Sequence, residues 1–193
     1  MVCGPVASGK TTFVRNTFPD ALVVSCDNYF LDRSDTPESM RAHLNYDEPS
    51  ALDASRLCED VQKLMARYPV DMPVYDFVTH TVTGSTRVVP DVSTTTLVVE
   101  GHLAGILLRG LFERRPEETR WMPRWTECIY LDVDDATCLS RRLRRDSVRG
   151  WTDAQIIEQH TVFTRPARVA YVEPQMSFAT RVVTTDDKKS ARK

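Results

Sequence analysis

The feature that most constrains the fold lies almost at the start of the chain, in the stretch GPVASGKTT at residues 4–12. It matches the pattern G-x-x-x-x-G-K-[ST], with Gly4, Gly9, Lys10 and Thr11 at the fixed positions. Glycines let consecutive backbone N–H groups turn inward around phosphate oxygens, and the helix that follows adds the positive end of its dipole. Lys10 can reach the β and γ phosphates, and the Thr11 hydroxyl can ligate Mg²⁺. The pattern therefore predicts a phosphate-binding loop.

The alternative for the same stretch is a glycine-rich turn with a helix cap, since Ser8 and Thr11 are ordinary capping residues. The context favours phosphate binding, because a helical pattern at residues 13–18 and a strand-like run at 21–26 follow the loop. A buried strand normally precedes such a loop, and residues 1–3 are too short to be a full one. We therefore expect a clipped first strand or further residues upstream.

Length and composition exclude several classes of protein. The 193 residues predict one domain over residues 1–184, followed by a polar tail at 185–193. The net charge of -2 gives no reason to bind nucleic acid or a membrane surface, and no apolar run is long enough for a spanning helix. The five cysteines lack C-x-x-C spacing, which favours buried free thiols in a reducing, cytoplasmic compartment.

Short β-branched runs alternate with helical patterns along the chain. Nearly continuous apolar runs are typical of strands buried on both faces, and they fall at residues 21–26, 95–99, 128–133 and 180–184. Helical patterns between them cover residues 53–68, 103–115 and 135–146. Asp53 is placed to cap the first of these helices. The alternation predicts an α/β fold with a parallel sheet, whose ligand lies beyond the carboxyl ends of the strands.

Residues 70–91 break this alternation. They contain two halves with period-two hydrophobicity on either side of Thr83 and Gly84. We therefore predict a β-hairpin over about residues 70–90 that stands apart from the main sheet and turns at Thr83-Gly84.

Two carboxylates follow predicted strands, at the edge of the sheet where the phosphate loop is also expected. Asp27 ends the second strand, and Glu100 ends the third. Either carboxylate can hold Mg²⁺, and one can serve as the base for an acceptor hydroxyl in phosphoryl transfer. The alternative for Asp27 is a cap on the turn that follows it.

An arginine-rich stretch follows the fourth strand, in SRRLRRDSVRG. On a helix, Arg142, Arg145 and Arg149 share one face. The stretch could be a solvated basic face or a nucleic-acid patch, although the latter lacks interleaved aromatic residues. Next to a phosphate loop we favour a lid over about residues 141–152, whose arginines neutralise a transferring phosphoryl group.

Six further segments carry a resemblance to a known family: CDNYF, NYDEPSALD, PVYDFVTH, VVEGHLAG, LSRRLRRD with the following RG, and FTRPARVAYVEP. In this order and spacing, from Gly4 to about Val183, the chain resembles uridine (uridine–cytidine) kinases of the phosphoribulokinase/uridine kinase family. The resemblance implies a P-loop kinase fold with a five-stranded parallel sheet, helices on both faces, and a β-hairpin over the nucleoside site. It also implies a homo-oligomer that uses ATP and Mg²⁺ to phosphorylate the 5'-hydroxyl of uridine or cytidine in pyrimidine salvage.

The resemblance also assigns roles to individual residues. The catalytic residues would be Lys10, Asp27 as general base, Arg142 and Arg145. The metal ligands would be Thr11, Asp27 and Glu100. The nucleotide would contact Gly4, Pro5, Val6, Ala7, Ser8, Gly9, Lys10, Thr11, Thr12 and Arg149. The nucleoside would contact Asp27, Tyr46, Asp47, Tyr75, Phe77, His80, Arg142 and Gln159, with Asp47 on the ribose hydroxyls. For the aromatic residues of the hairpin, packing between the strands is the competing interpretation.

Three positions depart from the family pattern. Phe30 stands where a tyrosine is usual, Val82 where an arginine is usual, and Trp151 where the lid normally has a cation. These changes spare the phosphate and metal residues but leave the nucleoside open. A kinase for another small acceptor, such as nicotinamide riboside, pantothenate or a sugar phosphate, is the first alternative, and a nucleotide-binding protein without catalysis is the second. A signalling GTPase is disfavoured because an N-K-x-D motif is missing.

Overall fold

The computed structural model describes residues 1–41, 43–113 and 127–184. Five parallel strands form the main sheet in the order β2-β5-β1-β6-β7. The strands of this sheet are β1 (Val2–Cys3), β2 (Leu22–Ser25), β5 (Leu97–Glu100), β6 (Ile129–Asp132) and β7 (Arg181–Thr184). The five-stranded parallel sheet is therefore confirmed, and the first strand is as short as residues 1–3 predict.

Apolar side chains alternate between the two faces of the sheet, because successive residues of a strand point to opposite sides. On one side, Val2, Ile129 and Leu131 pack with Val14 of helix α1 (Lys10–Thr17). On the other side, the core takes its strand residues from Cys3, Val24, Val99 and Tyr130. It adds helix residues from α3 (Ala54–Met65) and α4 (Ala104–Glu113). Helices therefore cover both faces, as expected for a parallel sheet.

The other helices follow strand β2 or strand β6 along the chain. They are α2 (Glu38–Arg41), α5 (Asp135–Ser147), α6 (Asp153–Gln159) and the single turn α7 (Arg165–Ala167). Two turns of π-helix, His160–Thr164 and Arg168–Val172, flank α7. Asp53 caps α3 as predicted, since its carboxylate accepts the Arg56 N–H at 3.0 Å. The end of the predicted helix at residues 114–115 and the tail at 185–193 lie outside the described residues.

All five cysteines are free, and four of them are buried. This agrees with the expectation of buried thiols. Among the residues that the structure describes, no helix combines the length and apolarity that a bilayer crossing needs.

The hairpin is confirmed, but its predicted turn at Thr83-Gly84 is wrong. Strand β3 (Val70–Asp76) pairs antiparallel with β4 (Thr81–Val88), so the turn lies at residues 77–80. Gly84 is inside β4, opposite Val74, where the register shifts by a bulge. A glycine inside a strand pattern often marks such a bulge, and Gly84 lies at the bulge rather than in the turn.

The side chain of Asp76 stabilises the observed turn, which the sequence pattern did not predict. Its carboxylate accepts the N–H groups of Val78 at 2.7 Å and Thr79 at 3.4 Å. This is an Asx turn, in which the side chain imitates a backbone turn. His80 then re-enters the strand direction with a φ of 55°. The consequence is that Phe77 and His80 lie at the tip of the hairpin.

We predict that Gly101→Ala destabilises the fold by about 1–3 kcal/mol, because overpacking at this site forces neighbouring atoms apart. A Cβ at Gly101 would lie 2.6 Å from the Cβ and 2.9 Å from the Sγ of Cys26, directly between the strand ends that carry Asp27 and Glu100. Urea unfolding measures the change. Gly84→Ala is the matched control, since no atom lies within 4 Å of a Cβ there. Equal stability of the two variants would contradict the prediction.

Candidate active site

The predicted phosphate loop, residues 4–12, connects β1 to α1 at the centre of the sheet. Its backbone has positive φ angles of 137° at Gly4, 60° at Ala7 and 91° at Gly9. Gly4 is also required for space, because a Cβ would lie 2.5 Å from the backbone oxygen of Leu131. Left-handed residues interspersed in a loop are the backbone feature of anion-binding nests.

The Lys10 ammonium lies over this loop. Its Nζ donates to the carbonyl oxygens of Gly4 at 3.0 Å and Pro5 at 2.8 Å. Burial lowers the pKa of Lys10, while the charges of Glu100 and Asp27 oppose that shift. The cation is therefore held within reach of an anion that enters the loop.

The two predicted carboxylates meet at the carboxyl edge of the sheet. Glu100 ends β5 and pairs with Ser25, the last residue of β2. Asp27 follows in a 3-10 turn over Cys26–Tyr29, where the Asp27 N–H donates to the Ser25 hydroxyl at 3.4 Å. Because Ser25 caps this turn, the Asp27 carboxylate is left to face the cavity.

The oxygen atoms beside the loop fit a magnesium ion. The Thr11 hydroxyl donates to Glu100 Oε1 at 3.0 Å. Burial raises the pKa of Glu100, and the neighbouring charge of Asp27 raises it further. The described residues contain no cluster of three or more acidic, histidine or cysteine ligands. Mg²⁺ needs no such cage, because it is commonly bound through one or two carboxylates together with substrate phosphates.

A cavity of about 370 Å³ runs from the loop to the hairpin. The predicted residues that line it are Val6, Ala7, Gly9, Lys10, Thr11, Thr12, Asp27, Tyr46, Asp47, Tyr75, Phe77, His80, Glu100, Arg142, Arg145, Arg149 and Gln159. Three predicted loop residues, Gly4, Pro5 and Ser8, do not line it. The first two hold Lys10 through their carbonyl oxygens, and the Ser8 carbonyl accepts a hydrogen bond from Arg141 at 3.0 Å.

Aromatic rings form the end of the cavity farthest from the loop. Tyr46 and His80 stack with ring centroids 4.6 Å apart and planes 12° apart. Phe30 packs against Tyr75 at 5.2 Å, and Trp151 meets His80 edge-on at 6.3 Å. Burial lowers the pKa of His80, which keeps its ring neutral at physiological pH. This end of the cavity offers flat apolar surfaces with a few polar edges, as a ring-shaped ligand requires.

The three predicted lid arginines converge on one carboxylate. Asp146 accepts hydrogen bonds from Arg142 at 3.2 Å, Arg145 at 2.7 Å and Arg149 at 3.4 Å. Burial by itself would raise the pKa of Asp146, but the hydrogen bonds and positive charges of these arginines hold it below its usual value. Arg149 also lies over the ring of Phe77, with 5.0 Å between guanidinium and ring centroid. The arginines therefore reach the aromatic end as well as the phosphate end.

Asp47 is held from the opposite wall. The Thr164 hydroxyl donates to Asp47 Oδ2 at 2.6 Å, and Arg142 Nη1 donates to the same hydroxyl oxygen. Gln159, at the end of α6, is buried and lines the cavity beside them.

Sequence reasoning missed several residues of this site, among them His102, Asp146 and Thr164. His102 is buried, its Nδ1 lies 4.0 Å from Asp27 Oδ1, and its Nε2 has no hydrogen-bond partner among the described residues. Its position two residues after Glu100 was the available signal. Asp146 stands among the arginines in the sequence, whereas Thr164 is near Asp47 only after folding.

Comparison with known sequences agrees with this geometry. The model of the phosphoribulokinase/uridine kinase family matches residues 1–189. A uridine kinase of Deinococcus deserti is 33% identical over 188 residues, which cover 94% of this chain and 84% of the relative. A uridine kinase of Oceanobacillus iheyensis is also 33% identical, covering 94% of this chain and 83% of the relative.

Solved structures share the fold at lower identity. Phosphoribulokinase from Rhodobacter spheroides aligns with a TM-score of 0.60 at 13% identity, covering 95% of this chain and 69% of that one. A possible uridine kinase from Bacillus stearothermophilus aligns with a TM-score of 0.55 at 19% identity, covering 94% and 85%. The likeness in fold, the family match over nearly the whole chain and the identity to these relatives lead to one conclusion: the protein belongs to the phosphoribulokinase/uridine kinase family.

Proposed function

We propose that the protein transfers the γ-phosphoryl group of ATP to the 5'-hydroxyl of uridine or cytidine. The observation that carries this proposal is the single cavity that joins the Lys10 loop, the Asp27 carboxylate and the aromatic rings around His80. The uridine kinases to which the chain is 33% identical support a nucleoside as the acceptor.

The phosphate end binds the donor. The backbone of residues 4–12 surrounds the β and γ phosphates, and Lys10 exchanges its two carbonyl partners for phosphate oxygens. Thr11, Asp27 and Glu100 would hold Mg²⁺, which when bound would supply positive charge against the transferring phosphoryl group. Arg142 and Arg145 turn from Asp146 toward the γ-phosphate when the lid closes, with Arg149 on the nucleotide.

Asp27 activates the acceptor. Its carboxylate lines the same cavity as the loop and the aromatic rings, where a nucleoside's 5'-hydroxyl would approach the γ-phosphate. It accepts the hydroxyl proton as the oxygen attacks in line, which is the base role that phosphoryl transfer needs. His102, with its Nδ1 4.0 Å from Asp27 Oδ1, lies behind this carboxylate.

The other end holds the nucleoside. Asp47 accepts hydrogen bonds from the vicinal ribose hydroxyls, a geometry that suits one carboxylate. The pyrimidine enters among Tyr46, Tyr75, Phe77 and His80, with the neutral His80 ring at its polar edge. Trp151, where the family usually has a cation, lines this end instead of contacting phosphate.

The test is ADP release from ATP with Mg²⁺ and a panel of acceptors: uridine, cytidine, adenosine, nicotinamide riboside and pantothenate. Turnover with uridine or cytidine alone is the expected result. Turnover only with another acceptor would replace the substrate, and nucleotide binding without any turnover would refute the kinase proposal.

We predict that Asp27→Asn lowers kcat with uridine by roughly 10²–10⁴-fold, because the base that takes the hydroxyl proton is lost. Binding of uridine, followed by calorimetry, should change much less, since the amide keeps the shape of the carboxylate. Asp76→Asn, at the hairpin turn outside the cavity, controls for a general loss of negative charge. A kcat for Asp27→Asn close to that of the control would contradict the proposed base.

We predict that uridine quenches the intrinsic tryptophan fluorescence of the protein and that Trp151→Phe removes most of this change. Trp151 lines the base end of the cavity, so a bound pyrimidine would contact its indole ring. The chain contains three tryptophans, and the variant isolates the signal of this one while keeping an aromatic ring. Equal quenching in both proteins would place the base away from Trp151.

A further inference from the structure

Thr164 connects two parts of the site that lie far apart in the sequence. Its hydroxyl donates to Asp47 Oδ2 at 2.6 Å and accepts from Arg142 Nη1. A hydroxyl has one proton to donate and lone pairs to accept, so both hydrogen bonds can form at the same time. The donors then follow one another in the order Arg142, Thr164, with Asp47 as the final acceptor. Thr164 is only 6% exposed, so water competes little for either hydrogen bond.

The hydrogen bonds continue beyond Arg142. Its Nε donates to Asp146 Oδ2 at 3.2 Å, and the same carboxylate holds Arg145 and Arg149. A continuous path therefore runs from Asp47, through Thr164 and Arg142, to the whole arginine cluster. In a low-dielectric interior, a change at one end of such a chain polarises the groups at the other end.

The backbone around Thr164 is also unusual. Residues His160–Thr164 form a turn of π-helix, and Pro166 in the next turn has no N–H to donate. Turns of π-helix inside helices often occur at functional sites. Here the wider turn places the Thr164 side chain between α5 and the loop that carries Asp47.

We propose that Thr164 is a positioning residue that couples occupancy of the nucleoside site to the arrangement of the lid arginines. The proposal rests on the proposed function for what Asp47 binds. Asp47 accepts the Thr164 hydrogen bond through Oδ2, and its carboxylate has further lone pairs for the ribose hydroxyls. A ribose that withdraws electron density from Asp47 weakens the acceptor of Thr164 and thereby the hold on Arg142. The arginine cluster is then freer to turn toward the donor's phosphates.

Thr164→Val tests the coupling, because valine keeps the shape of threonine and removes the hydroxyl. Uridine affinity is measured by calorimetry with and without a non-hydrolysable ATP analogue. The wild type should bind uridine several-fold more tightly with the analogue present, and Thr164→Val should bring this ratio close to one.

Two variants control for packing alone. Thr164→Ser keeps the hydroxyl and should restore the affinity ratio. Thr161→Val makes the same substitution in the same turn of π-helix, at an exposed residue whose hydroxyl donates to the Ile157 carbonyl at 2.8 Å, and should leave the ratio unchanged. A wild-type ratio of one, or a Thr164→Val ratio equal to that of the wild type, overturns the coupling.

A ligand-free measurement separates this inference from the proposed function. In a double-mutant cycle of Thr164→Val and Asp47→Asn, followed by thermal unfolding, the two effects should be strongly non-additive. Additive effects overturn the link. If the wild type binds no nucleoside, the proposed function fails, and the coupling to nucleoside occupancy fails with it, while the cycle still decides whether Thr164 and Asp47 are coupled.

Discussion

Val2 pairs with Glu100 on one side and with Ile129 on the other, so a strand of two residues sets the register of the whole site. The Val2 carbonyl accepts the Gly101 N–H at 3.1 Å, which fixes the end of β5 beside the start of the phosphate loop. Gly4 then turns so close to Leu131 that no side chain would fit. Both neighbours of β1 are buried strands, so the residues from which the loop starts are held by strand pairing on both sides. The Thr11–Glu100 hydrogen bond is a consequence of this register.

Charge is distributed across the cavity in two opposed groups. Lys10 lies with Asp27 and Glu100 at the strand ends, and Asp146 gathers three arginines on α5 and the segment after it. Burial lowers the pKa of Lys10 and raises that of Glu100, because it disfavours the charged form of each side chain. A partner of opposite charge would stabilise those charged forms. A nucleotide with its metal ion would supply both signs at once. The three arginines donate to Asp146, and phosphate oxygens would offer them an alternative acceptor.

Sequence reasoning succeeded where the chemistry is local. The phosphate loop, the Asp53 cap and the alternation of buried strands with helices follow from residues that are neighbours in the chain. The predicted turn at Thr83-Gly84 was wrong because two local rules competed. Glycine is a common turn residue, whereas Asp76 can close a turn with its side chain. Only the register of β3 against β4 decides between them, and register is set by pairing across the hairpin.

The contacts that unite the site are those the sequence could not reveal. Thr164 meets Asp47 across 117 positions, and neither residue type signals the other. Arg149 lies over Phe77, and Trp151 meets His80, so residues just beyond α5 touch the hairpin tip on the other side of the cavity. These contacts tie the arginine segment to the aromatic end at two points, with Thr164 as a third. If the proposed lid closes over a phosphate, these contacts would therefore also move the walls of the aromatic end of the cavity.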